Sequence, residues 1–432
     1  MNASLEAVSF DPVRLLAGLA RRVPGAGPAW HADLRERSAA RFEEIGLPGP
    51  KVEHWRETSL APLVEPVWAT FVPATRGEGG AWDDLGLPTP GAAAAPLVGD
   101  GWWAGPLSAA PEAVAAAARE HLGRIAPAER EPFAALGVAA AAEPLVVHVA
   151  AGVRAPDMHV PRHVGGADGR PRLGASHLLV LVGENAQVRL IETHTAEDGA
   201  PLLAVPLTEI HAEAGARVEH ALVQAMPETA FAVATLGVHQ LAASRVRQHA
   251  LAIGGALARL EIHARLDGEG ADADLRGLML ARGRQHLDCR SVIDHAVPGA
   301  TSHETYKAIL RDRARTVFAG RIVVREGAQQ TDARQQNDNL VLSRHALART
   351  RPQLEIYADD VKCAHGATVG RLDDEALFYL RARGIPLPEA RRILIRAFAA
   401  AVVDDIPCAP LVERIEAEID ARIPGPEEEE VS

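Results

Sequence analysis

Between about Pro144 and Gly370 the chain is a succession of short runs in which apolar and polar residues alternate. Among them are LVVHV, HLLVLVG, QVRLIE, RVEHALVQ, RVRQHALA, ARLEIHA, HLDCRSVIDH and TVFAGRIVV. In ARLEIHA, Leu260 and Ile262 fall on one face while Arg259, Glu261 and His263 fall on the other. A period of two is the mark of a half-buried strand, because successive side chains on a strand point to opposite faces. Turn clusters such as Gly183-Glu184-Asn185 and Asp267-Gly268-Glu269-Gly270 separate the runs, and no clear helical stretch interrupts them. Many short strands without crossover helices leave a sandwich, a barrel, a propeller or a β-helix. The length of the run and an aromatic content of only 4% suit a solenoid wound around an aliphatic core. The pairs Asp168-Gly169, Asp198-Gly199 and Asp267-Gly268 are instead hairpin signals and suit an antiparallel fold. The strand pattern alone leaves that choice open.

Helical text flanks this region on both sides. Asp11 followed by Pro12 makes a helix start, a side-chain cap with proline at the first helical position. Trp30, Leu34, Phe42 and Ile45 then recur at helical spacing until Gly46 and Pro48 stop the pattern, and Pro111 opens an alanine-rich helix over Glu112–Leu122. After Gly370, Asp373 or Asp374 caps a helix that runs to Gly384. A second helix begins near Pro388, with Ala390, Ile393, Leu394, Ala397, Phe398 and Ala401 as its apolar stripe. A third covers about Leu411 to Ile423, and an acidic tail around Glu427–Glu430 follows, read as solvated. The expected organisation is thus 1–143 helical and irregular, 144–371 strands, 372–424 helical and 425–432 tail.

Forty-five Lys and Arg against 57 Asp and Glu give a formal charge of −12, which argues against a nucleic-acid or anionic-membrane partner. The N-terminal residues show no basic region followed by an apolar run, and no apolar stretch approaches the ~20 residues that span a bilayer. The three cysteines, Cys289, Cys363 and Cys408, show no CxxC pairing, so a reducing, cytoplasmic setting is expected. GxxxxGK[ST], GxGxxG and GxSxG are absent, which removes the phosphate loop, the Rossmann site and the hydrolase elbow.

The densest group of reactive side chains is Asp359-Asp360-Val361-Lys362-Cys363-Ala364-His365-Gly366. On a strand Asp359, Cys363 and His365 share one face, and a thiolate and an imidazole at i, i+2 can reach one metal ion together. Two ligands do not complete an iron–sulfur centre, which needs about four. Spacing alone favours packing with a satisfied histidine, since cysteine is among the most buried residue types. Cys289 falls with Leu287 and Ser291, on the core face of its run, and Cys408 follows Pro407 in a helix linker. The histidines form no HExxH motif.

The run GRIVVREGAQQTDARQQNDNLVLSRHALARTRPQLEIYADDVKCAHGATVGRLDDEALFYLRARGI, from Gly320, resembles the core of the SufB/SufD family of iron–sulfur cluster assembly scaffolds. KVEHWRETSL, HLLVLVGENAQVRLIE and DCRSVIDHAVPGATSHETYKAIL resemble earlier segments of that family, with the loosest fit between about Pro66 and Pro111. The resemblance implies a mainly β chain, a right-handed parallel β-helix core with helical N-terminal and C-terminal domains. Within the family the SufD-type branch is the better match. Gln336-Asn337-Asp338 stands where SufB-type chains carry a Gln-Cys-Asp run, and His365-Gly366-Ala367-Thr368 where they read His-Glu-Ala-Thr.

For this chain the resemblance implies a non-catalytic scaffold subunit that binds no nucleotide. It would pair with SufB through the β-helix and with the ATPase SufC through the C-terminal helices, or with itself when SufB is missing. A transient iron–sulfur cluster or iron would be shared with SufB, with His365 and Cys363 as candidate ligands. Two other readings of the chain are a purely structural adaptor and a carbohydrate-active β-helix enzyme. Scarce aromatic residues and no visible secretion signal count against the latter.

Overall fold

The alternating runs stack as rungs. In the computed structural model, which describes residues 11–64, 71–76, 82, 85–90, 95–165 and 169–422, the chain is mainly β and forms a parallel β-solenoid of about eight turns with helices at its N- and C-terminal ends. Each full turn gives one strand to each of two sheets. The first contains His177–Val182, Leu207–Ala212, Ala230–Gln240, Leu257–Leu266, His286–His295 and Arg315–Val324. The second contains Gln187–Ala196, Arg217–Gln224, Arg245–Ala252, Asp272–Ala281, Thr301–Leu310, Asp332–Val341 and finally Lys362–Gly370. Along the solenoid each strand pairs in parallel with its counterpart about thirty residues on, as Thr301 with Asp332 and Asp332 with Lys362.

In-register stacking repeats each core position once per turn. One column of the first sheet runs Val147, Val180, Ile210, Val238, Ala264, Ile293, Ile322, Leu354. All but Leu354 are buried in a single aliphatic core, each large member contributing about 1.5–3 kcal/mol by its burial. Cys289 lies in this core, as its alternation indicated.

The Asp-Gly signals do not make hairpins. Asp198-Gly199 and Asp267-Gly268 are corners that carry the chain from one sheet to the other, so the next strand pairs with the previous turn and not with its own neighbour. Gly268 is needed there for space: a Cβ on it would lie 1.9 Å from the backbone nitrogen of Ala242, one turn below. Asp168 of the third pair, the residues before Asp11, Trp68 and the acidic tail lie outside the described residues.

Asp11 does cap the first helix, Pro12–Arg22, accepting from the backbone of Val13 and Arg14. It packs with Ala29–Ile45 and Pro132–Ala140 on the outside of the first sheet, where Leu16, Phe42, Phe133 and Leu136 meet Leu203, Val205 and Val233. The alanine-rich helix is Glu112–His121. At the other end Asp373 caps Asp374–Ala382, followed by Leu387–Val403 and Ala409–Asp420. The last two cover the outside of the second sheet, where Ile395, Ala399, Val402, Leu411 and Ile415 meet Leu278, Ile309 and Leu340. The expected stripe of Leu387–Val403 is therefore displaced. Ile393 and Ala397 face outward while Ile395 and Ala399 are buried. This helix is apolar on more than one side, and the face it buries is set by the sheet beneath it.

Candidate functional site at the open end of the solenoid

Lys362–Gly370 is the last strand of its sheet, and among the described residues no strand pairs with its far edge. Cys363 sits opposite Ala333 and His365 opposite Gln335, so the two share the inward face of the terminal rung, as alternation predicted. Asp359 is not on that face: it lies in the bend before the strand begins. Cys363 is half-buried against the core, and burial pushes its thiol up from the ordinary value. His365 is exposed because no further rung covers it. Among the described residues no third His, Cys, Asp or Glu joins them in a group able to hold a metal ion.

Behind this rung the interior is polar. The inward column of the second sheet continues from His365 to Gln335, Glu304 and Leu275. Glu304 and Gln335 are buried, and the Gln335 Nε2 donates to Glu304 Oε2 at 2.5 Å. Burial pushes the Glu304 carboxyl up to about 7 against the opposing effect of its polar neighbours Ser291 and Gln335. Gly320 makes room for the pair, since a Cβ there would lie 2.1 Å from Gln335 Nε2. In the next column Asn337 is fully buried, donating to the Tyr306 carbonyl at 3.1 Å and accepting from Asn339 at 2.7 Å. Position 337 is thus held by interior hydrogen bonds on the rung beside Ala367. Gly366 is crowded as well: a Cβ there would meet Gln336 Oε1 at 2.3 Å, so a longer side chain requires Gln336 to move.

Sequence reasoning missed the buried pair Glu304 and Gln335. Both fall on the inward parity of TSHETYKAIL and DARQQNDNLV, runs that carry too many polar residues to read as core strand yet form the strands Thr301–Leu310 and Asp332–Val341. The signal that could have found them is the thirty-residue repeat, which places them in one column with His365.

A second polar assembly joins the N-terminal Trp segment to the solenoid. Arg259 is buried on the outward side of its strand under the Trp55 ring, 3.7 Å from its centroid. It donates to Asp288 at 2.8 Å and to the His54 carbonyl at 2.9 Å, and pairs with Glu261. Asp288 also accepts from Thr58 and from Arg290. Burial alone would raise the Asp288 carboxyl, but Arg259 and Arg290 hold it below its ordinary value. The polar face read for ARLEIHA is real, then, but covered.

Residues 164–398 match the family model described as SUF system FeS cluster assembly, SufBD core domain. An iron–sulfur cluster assembly SufBD family protein of Synechocystis is 35% identical over 256 residues, 57% of this chain and 56% of that protein. The iron–sulfur cluster assembly protein SufD of Escherichia coli is 40% identical over 177 residues, 41% of this chain and 42% of that one. The chloroplastic protein ABCI7 of Arabidopsis thaliana is 30% identical over 272 residues, 61% and 57% respectively. The matched stretches span about half the length of these relatives.

Proposed function

Because the chain belongs to the SufBD family of the SUF system for iron–sulfur cluster assembly, we propose that it is a SufD-type scaffold half whose terminal rung forms one side of a shared assembly site. The observation that carries the reading is the rung itself. It presents an exposed imidazole and a half-buried thiol on one face, beside a strand edge that is unpaired among the described residues, which also supply too few donors to finish a centre. A partner chain adding its own rung would supply the missing ligands. SufB is the proposed partner, and the iron or nascent iron–sulfur cluster is cargo shared between the two.

Asn337 and Gly366 support the assignment of sides. The first is committed to interior hydrogen bonds and the second has no side chain, so neither offers a thiolate or carboxylate to the site. The chain is proposed to be non-catalytic, with ATP hydrolysis in SufC. Phe378, Tyr379 and Ile393 are exposed on the C-terminal helices, where SufC would dock, and a pull on those helices would reach the second sheet through Ile395 and Ala399. Among the described residues no helix is long and apolar enough to cross a membrane, and a cytoplasmic location is proposed.

The test is anaerobic reconstitution of the complex with SufB and SufC, followed by cluster absorbance. His365→Ala should leave the complex intact and remove most cluster formation, and Cys363→Ala should have the smaller effect. Undiminished cluster formation by the His365→Ala complex would sink the proposal.

A further inference from the structure

On the outside of the first sheet, far along the chain from the terminal rung, two histidines stand side by side on adjacent turns. His211 and His239 are register partners, and their Nδ1 atoms are 3.1 Å apart. The other nitrogen of each ring faces a carboxylate: His211 Nε2 lies 3.0 Å from Glu213 Oε1, and His239 Nε2 lies 3.2 Å from Asp267 Oδ2. An ionised carboxylate only accepts, so each Nε2 must carry a proton. Two neutral rings then have no proton left for Nδ1, and their lone pairs face one another. A metal ion between them, or a single shared proton, relieves that repulsion.

The spacing suits a metal ion. Ligand nitrogens bound about 2.0–2.1 Å from Zn²⁺ at near-tetrahedral to right angles lie roughly 2.9–3.4 Å apart. Imidazoles that hold a metal through one nitrogen commonly donate the other N–H to a carboxylate, which fixes ring and tautomer. Here Arg265 also donates to the Asp267 carboxylate, at 3.0 and 3.1 Å, and holds it in place. His121, at the end of its helix, stacks on the His211 ring with centroids 4.2 Å apart and so walls one side of the pair.

We propose that His211 and His239 bind a first-row divalent cation, with Glu213 and Asp267 orienting the two rings. Among the described residues no third His, Cys, Asp or Glu completes the shell. His239 is partly exposed, so water or an incoming ligand fills the remaining positions and the ion is exchangeable, unlike one in a closed four-ligand site. This site is separate from His365 and does not rest on the proposed scaffold role.

The full chain, stripped of metal, should be titrated with Zn²⁺ by calorimetry and with Co²⁺ by visible absorption. One equivalent is expected to bind in the wild type and in His365→Ala. The affinity should fall at least tenfold in His211→Gln and His239→Gln, and about tenfold in Asp267→Asn, the range set by loss of a supporting carboxylate. Equal binding by the wild type and both histidine variants would overturn the site. So would no binding at millimolar metal, with an NMR signature of one proton shared between the two Nδ1 atoms then showing what joins them instead. Asp267→Asn removes only a half-exposed carboxylate oxygen, so it keeps the test open where a histidine variant fails to fold.

Discussion

Replacing Glu304 with Gln should change stability in a way that depends on pH. Glu304 is buried, its polar column neighbour Gln335 is a neutral amide and not a cation, and its carboxyl is raised from 4.5 to about 7 by burial. A group raised on folding holds its proton more tightly in the native state. Its contribution is therefore full below the unfolded value near 4.5, declines between about 4.5 and 7, and is lost above the folded value. A carboxyl raised from 4.5 to about 7, at 1.36 kcal/mol per pH unit, loses about 3 kcal/mol between the two limits. Glutamine keeps the shape, still accepts from Gln335 and cannot ionise. Glu304→Gln should thus match the wild type within about 1 kcal/mol at pH 4.5 and exceed it by about 2–3 kcal/mol at pH 8. Urea denaturation followed by circular dichroism across this range reads the difference directly. A stability difference that stays constant from pH 5 to pH 8, or a variant less stable than wild type at pH 8, would refute the account of a neutral acid kept inside the solenoid.

Two further outcomes test the packing. Asp288→Ala takes one of the two paired carboxylates from the buried Arg259 guanidinium, leaving Glu261, and should cost about 3–5 kcal/mol. Hydrogen exchange should show the loss first at residues 53–58, whose Trp55, His54 and Thr58 contacts meet at this network; unchanged protection there would mean the Trp segment is held by other contacts. Gly268→Ala drives a Cβ into the backbone of the turn below and should lower stability by about 1–3 kcal/mol, measured as a shift in denaturation midpoint, whereas a neutral result would mean the corners move freely.

Much of this molecule can be read locally. Alternation in ARLEIHA and HLDCRSVIDH assigns Ile262 and Cys289 to the core, and both are there. Asp11-Pro12 and Asp373 mark helix starts through hydrogen bonds made within three residues. The pairing of Cys363 with His365 on one face is equally local, a consequence of strand geometry alone. The readings that failed concern what lies across from a segment. The stripe on Leu387–Val403 was misplaced because several faces of that helix are apolar, and only contact with Leu278, Ile309 and Leu340 selects Ile395 and Ala399.

The sequence by itself determined that there would be short strands, where the flanking helices start, and which parity of each strand faces inward, because all three follow from backbone geometry over a few residues. Family motifs then identified the solenoid that periodicity had left as one option among four. Only the tertiary structure decided that Asp198-Gly199 and Asp267-Gly268 turn toward the other sheet, that Arg259 lies under Trp55, and that His365 ends a column containing Gln335 and Glu304. The physical reason is the stacking itself. Each residue's closest neighbours are about thirty positions away, and that register is fixed by the summed fit of every turn, which no short stretch of sequence contains.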